Sequence, residues 1–390
     1  MQKDTLPGAA LSFGVFGIIS TEIGIVGVLP ELAARAGVSV AQAGLLVGVF
    51  ALVVAVTGPF GVLVASRFSR KSVLLVTMAV FTLANAVFAV SASFPVLVIF
   101  RILPALLHPV FFAVSLATAV ALAAPGRETA ATARVFAGVT VGFAFGVPAM
   151  SFLASEASLG VAFGAAALVS SSAFFGILRW VPRSPAEERL SYGSQLRILR
   201  RPQVWVQVVT IVLLFAAMFS GYSFFADYLG AVAGVPAATV SVLLLVFGVV
   251  MIGGNFLFAA LIQRSLRATL LGFLLAYIAL YAALYAAAPS AWLVSLLVLP
   301  WGLVHSGGLI LGQTLIARES ADAPVFGNSL FVSASNIGIA LGSALGAAQI
   351  ARAGTLSVVW VGVAAALTAL VLVGVNAAML AAAGRRPATR

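Results

Sequence analysis

Apolar runs of roughly 20 residues, broken by short clusters of charge, proline or glycine, recur from one end of the chain to the other. A helix needs about 20 such residues to cross the hydrocarbon core of a bilayer. The runs predict twelve crossing helices, at 9–30, 40–65, 72–91, 95–123, 130–153, 158–181, 204–229, 239–262, 268–288, 291–317, 325–351 and 355–382. The first run exceeds a signal-peptide core and shows no small-x-small cleavage pattern, so it is expected to stay as the first helix. The only long polar stretch, VPRSPAEERLSYGSQLRILRRP at 182–203, divides the chain into a six-helix half at 1–181 and another at 204–390. Its mixed charge fits either a solvated linker or a short amphipathic helix on the membrane surface. The expected fold class is an all-α membrane protein.

Composition removes the alternatives. With 63% hydrophobic and 8% charged residues and a mean hydropathy of +1.19, the chain cannot be a water-soluble enzyme, a nucleic-acid binder or a secreted domain. The net charge of +11 reads as topology. Of 21 basic residues, eighteen fall in the terminal segments and loops on one side, only Arg35 and Arg352 fall on the other, and Arg101 lies within a helix. The positive-inside bias places both termini in the cytoplasm. There is no Cys, and the two histidines lie 197 positions apart, so neither a disulfide framework nor a metal site is expected. No nucleotide-binding loop of the GxxxxGK[ST] type occurs, which leaves an ion gradient as the energy source and no cofactor. The Ala- and Arg-rich, Lys-poor composition fits a GC-rich bacterial genome, and hence the bacterial inner membrane.

Sliding the second half over the first by 197 positions aligns AGVSVAQAGLLVGVF (36–50) with AGVPAATVSVLLLVF (233–247), Arg67 with Arg264, and His108 with His305. Two parallel six-helix repeats related about the membrane normal are a transporter architecture, with a substrate cavity between the halves near mid-bilayer.

Several motifs sharpen this. VLVASRFSRK (62–71) is similar to the G-x-L-x-D-R-x-G-R-K loop of the major facilitator superfamily and keeps Arg67, Arg70 and Lys71, although Val62, Ser66 and Ser69 replace its Gly, Asp and second Gly. GVTVGFAFGVP (138–148) resembles the helix-5 motif of the antiporter branches, with Gly138, Gly142, Gly146 and Pro148; a groove of glycines permits close helix contact, and a proline bends the helix. Gly338, Gly342 and Gly346 repeat the spacing in helix 11. TEIGIVGVLP (21–30) and RILPALLHPVFFAV (101–114) resemble the twelve-helix drug:proton antiporter family, in its branch of sugar, purine-nucleoside and chloramphenicol-type exporters. The resemblance implies two pseudo-symmetric six-helix halves and proton-coupled export by alternating access.

Of ten acidic residues, Glu22 stands apart, some thirteen residues into helix 1 among Ile18, Ile19, Ile25 and Val26. An ionised carboxylate at mid-membrane costs about 2.5–3.5 kcal/mol on insertion scales, so it needs a partner or a task. Burial favours its neutral form and a cationic neighbour its ionised form, so a moving arginine can make it load and release a proton. Arg101, at comparable depth in helix 4, is the expected neighbour; His108 lies deeper on the same face. Glu22, Arg101 and His108 are therefore the candidate proton-coupling residues, and Asp227, near the outer end of helix 7, is a secondary acid. The histidines are expected on opposite walls of one cavity, as ligands or as structural groups. Phe112, Tyr222, Phe225, Asn255, Trp301, His305, Gln313 and Asn336 are the candidate substrate contacts. The expected partners are protons, the bilayer and a small amphipathic organic molecule, with no nucleic acid and a monomeric state. A sugar or nucleoside exporter and an uncoupled facilitator stay open as alternatives.

Overall fold

The computed structural model describes residues 5–65, 67–125, 127–183 and 195–384. Among them, twelve helices are long and apolar enough to cross a membrane. In chain order, α1 runs Thr5–Gly24, passes through a 3-10 turn Ile25–Val28 and resumes as Leu29–Ala36. Then follow α2 (Val40–Ala65), α3 (Arg70–Val90), α4 (Phe94–Leu122), α5 (Glu128–Val141, a π turn Gly142–Gly146, then Val147–Glu156) and α6 (Leu159–Trp180). The second set comprises α7 (Pro202–Tyr222, extended by Phe225–Asp227 and a π turn Tyr228–Val232), α8 (Ala237–Arg264), α9 (Leu266–Ala287), α10 (Ala291–Glu319), α11 (Pro324–Ala353) and α12 (Val358–Gly384, after a turn Thr355–Ser357).

The expected boundaries hold to a few residues except at α1, α7 and the connection between α6 and α7. Pro30, read as the stop of α1, sits in the first turn of its resumed segment, where a missing N–H leaves no bond unmade, and the helix continues to Ala36. Gly37 then ends it in the left-handed conformation at φ 65°, with Gly234, 197 positions later, at φ 69°. In place of one helix over 204–229, α7 breaks after Tyr222. Of the stretch 182–203, residues 184–194 lie outside the described residues, and Gln195–Arg200 forms a 3-10 turn.

Packing within the two halves follows one plan. In the first, α1 packs on α5 and α6, α2 on α4, and α3 on α6; in the second, α7 packs on α11 and α12, α8 on α10, and α9 on α12. The halves meet through α2 against α11 and α5 against α8. Lipid is as apolar as the helix surfaces, so association rests on close van der Waals contact and interhelical hydrogen bonds. The glycine ladders supply the contact. A Cβ on Gly138 would strike the Ser12 carbonyl and Val15, and one on Gly142 would lie 2.7 Å from Ile19 Cγ2. Correspondingly, a Cβ on Gly338 would meet the Val212 carbonyl and Phe215, and one on Gly342 would lie 2.5 Å from the Ala216 carbonyl. These matched contacts relate α1 to α7 and α5 to α11 by an offset of 200, whereas Gly37 and Gly234 follow 197. The repeat therefore carries a compensated three-residue slip.

Gly342→Val is expected to destabilise the protein by about 1–3 kcal/mol, because the added side chain meets backbone that cannot yield. Gly164→Ala, where nothing lies within 4 Å of the added carbon, should leave the detergent-solubilised unfolding midpoint unchanged. Equal midpoints for the two variants would show that the ladder does not set the helix spacing.

Candidate functional site

Glu22 projects from α1 just before the 3-10 turn and is only 8% exposed. Its carboxylate Oε2 lies 2.9 Å from His108 Nε2 on α4. The expected carboxylate partner, Arg101, instead grips main chain: it donates to the carbonyls of Thr21 (3.0 Å), Glu22 and Leu46 (3.2 Å), and its guanidinium lies 4.4 Å from the centre of the Phe50 ring. Helix geometry explains the exchange. Side chains in an α-helix tilt toward the N-terminus and carbonyls point toward the C-terminus. On antiparallel α1 and α4, the Glu22 side chain therefore reaches back to His108 while its carbonyl faces Arg101. The two carbonyls on α1 that Arg101 takes lie in the last turn before the 3-10 segment Ile25–Val28. At 2% exposure, Arg101 has three backbone acceptors and an aromatic face as its environment.

His108 is held between Phe50 (ring centroids 5.6 Å apart) and Phe112 (4.8 Å), and its Nδ1 is buried with no hydrogen-bond partner among the described residues. Next to Glu22 in the chain, Thr21 accepts from Asn85 of α3 at its Oγ1 (3.0 Å), and Asn85 also donates to Ser170 Oγ (3.3 Å), tying α1, α3 and α6 together. Residues Thr21, Leu46, Phe50, Asn85 and Ser170 were not among the sequence candidates; only the polarity of Asn85 within an apolar run signalled a role.

The second half has an aromatic counterpart. His305 on α10 packs against Tyr222 (4.6 Å between ring centroids), Phe247 (5.3 Å) and Phe219 (5.6 Å), and its Nδ1 shares a 2.7 Å hydrogen bond with the Tyr277 hydroxyl. Phe225 and Trp301 complete the cluster, 4.9 Å apart. Phe247 stands 197 positions after Phe50 and flanks its histidine similarly, while Tyr222, at the offset of 200, occupies the place of Glu22. A carboxylate–imidazole contact in one half thus corresponds to aromatic ring packing in the other.

Other expected contacts are dispersed. Asn255 is half-buried eight residues beyond Phe247, and Gln313 is exposed eight residues beyond His305. Asn336 on α11 is buried and donates to its own helix at Val332 (2.9 Å), leaving Oδ1 unpartnered among the described residues. Asp227 is buried outside both clusters and accepts a 2.6 Å hydrogen bond from Thr355 Oγ1. In the basic loop, Arg70 donates to the Ala117 carbonyl (3.4 Å) and Lys71 to Leu178 in the last turn of α6 (2.7 Å), where a cation complements the helix dipole. Arg67 is exposed. On the same membrane edge of the second half, Arg201 forms a bidentate pair with Asp322 (2.9 and 2.7 Å), and this holds the Asp322 carboxyl below its ordinary range. In α5, the π turn spans the ladder, and Gly146 faces Ser20 with Pro148 immediately beyond.

Comparison with known proteins agrees with the fold. The chain is 32% identical over 348 residues to the inner membrane transport protein YdhP of Escherichia coli K12, covering 89% of this chain and 90% of that one. It is 31% identical over 363 residues to a chloramphenicol resistance protein of Streptomyces lividans, covering 91% and 92%. Among solved structures, the fold resembles the nucleoside transporter NupG at a TM-score of 0.79 and 13% identity, covering 97% of this chain and 99% of that one. A variant of the peptide transporter POT follows at a TM-score of 0.74 and 14% identity, with 94% and 93% covered. The family model described as Major Facilitator Superfamily matches residues 11–324. The chain belongs to the Major Facilitator Superfamily and is a membrane transporter.

Proposed function

We propose that this transporter exports small amphipathic organic compounds from the bacterial cytoplasm, across the inner membrane, in exchange for protons. The observation that carries the reading is the Glu22–His108 pair, 2.9 Å long and buried in the apolar interior of the first half. A carboxylate and an imidazole in contact can share, take up or release one proton at small structural cost, and in lipid such a pair is expensive to keep without a task. The imidazole is enclosed by Phe50 and Phe112, so among the described residues the Glu22 carboxylate, 2.9 Å from Nε2, is the polar group facing it. Arg101, fixed on the backbone, is a positioning residue: it holds the 3-10 turn and therefore the depth at which the Glu22 carboxylate sits.

The aromatic cluster of Tyr222, Phe225, Phe247, Trp301 and His305 is the proposed substrate wall. It has no formal charge and much ring surface, which suits neutral or weakly cationic amphipathic molecules. Division of labour between the halves supports exchange: a proton on the first half and a substrate on the second bias the same rocking equilibrium. The chloramphenicol resistance relative, similar over nine-tenths of the chain, agrees with an export role, and YdhP with the inner membrane. The strong basic bias of one set of loops supports cytoplasmic termini.

Proteoliposomes with an internal pH dye test the coupling. Chloramphenicol-like and other lipophilic compounds should each drive a proton flux in the wild type, and Glu22→Gln should lower it by about tenfold or more, within the usual span of coupling energies. Flux unchanged in Glu22→Gln would overturn the assignment. Tyr222→Ala and Phe247→Ala should raise the substrate concentration for half-maximal transport by about fivefold or more, as loss of aromatic contact predicts, while leaving the protons moved per substrate unaltered. Changed stoichiometry in these two variants would place coupling in the second half instead.

A further inference from the structure

Away from both clusters, α2, α3 and α4 enclose a groove of about 550 Å³ at the end of the bundle that carries the basic loop. It receives no residue from α1, α5, α7, α8, α10 or α11 and is thus separate from the candidate transport site. Its walls are hydrocarbon: Phe60, Val64 and Val76 are all more than half exposed, with Leu106 and Val110 behind them. Only two hydroxyl groups stand among its lining residues: Thr57 donates to the Val53 carbonyl (2.7 Å), and Ser72 accepts from Ser69 (2.8 Å) at the loop end. The groove is therefore almost wholly apolar and fits a flexible hydrocarbon chain. At its mouth stands Phe68, between Arg67 and the start of α3. The Arg67 guanidinium is exposed with no ion-pair or hydrogen-bond partner among the described residues, and Ser66 leaves the loop without the acid that would offset its charge.

We propose that this groove binds one anionic phospholipid of the surrounding leaflet, an acyl chain lying along Val64 and Val76 and the headgroup phosphate at Arg67. An apolar channel ending in unneutralised positive charge at headgroup depth has the chemistry of that molecule and of few others. A neutral drug would find no use for the charge, and a soluble anion none for the groove. Because Lys71 is anchored on α6 and Arg70 on α4, the headgroup would brace a loop already joined to both helices.

Native mass spectrometry of the full-length protein, released from nanodiscs of equimolar phosphatidylglycerol and phosphatidylcholine, tests this. Wild type should retain one phosphatidylglycerol in preference to phosphatidylcholine. Arg67→Gln should reduce that retention by about fivefold, the worth of one basic residue near a membrane surface. Val64→Trp, which fills the groove from an exposed position, should abolish retention of either lipid. Equal retention of the two lipids, wild-type retention in Arg67→Gln, or a lipid-free dimer burying the groove would each overturn the proposal. Should Val64→Trp fail to fold, the lipid preference and the Arg67→Gln result decide alone.

Discussion

A polar group in the hydrocarbon core has no water to turn to, and the interior of this transporter is organised by that constraint. Arg101 shows it most clearly. Its guanidinium joins α4 to two carbonyls of α1 and one of α2 and lies over Phe50. On α1 the arginine takes its acceptors in the last turn before the 3-10 segment, so the buried charge and the change of helix type meet at one place. The same turn fixes the rotation of α1 and delivers the Glu22 carboxylate to His108. Asn85, bonded to Thr21 and Ser170, fixes that rotation from the opposite side.

Against this network, the symmetry of the chain makes its asymmetry informative. Both halves use a glycine ladder to lock their first and fifth helices together, and both set a histidine of the fourth helix beside a phenylalanine of the second. Only the first half answers its histidine with a carboxylate. In the second, Tyr222 fills the equivalent place and His305 bonds to Tyr277, so the pseudo-equivalent position carries no charge. Under the proposed exchange, the duplicated backbones with divergent fillings would let one half respond to protons and the other to a bulky apolar molecule.

Much of this was legible in the sequence because lipid imposes a simple code. Span length, the positive bias of alternate loops, the paired histidines and the isolated Glu22 all follow from transfer energies that depend on residue type and position along a helix. Partner choice does not. Arg101 and His108 share a face of α4, and which of them meets the Glu22 side chain depends on the tilt of side chains against carbonyls across two antiparallel helices, a three-dimensional fact. The slip from 197 to 200 was hidden for a related reason: the ladder contacts of α1 with α5 and of α7 with α11 reveal it, while the sequence alignment was anchored on α2 and the histidines. Pro30 misled because its cost depends on whether a helix is continuing or restarting at that residue.

The contacts between the halves combine close backbone approach with single hydrogen bonds. Inside each half, ladder glycines bring backbones so close that an added methyl group would meet main chain. Across the interface, Gly248 of α8 packs as closely on α5, where an added Cβ would lie 2.5 Å from Ala144 Cα, and single hydroxyls add bonds: Ser343 on the Gly44 carbonyl, Ser333 on the Ala55 carbonyl, and Ser151 against Ser241, all at 2.9 Å. Hydrogen bonds between membrane helices contribute on average only about 0.6 kcal/mol each, so these bonds add little to what the close packing of α2 on α11 and α5 on α8 already supplies. In the proposed rocking cycle these are the contacts that would have to part, and they lie where glycine and serine fall on α2, α5, α8 and α11.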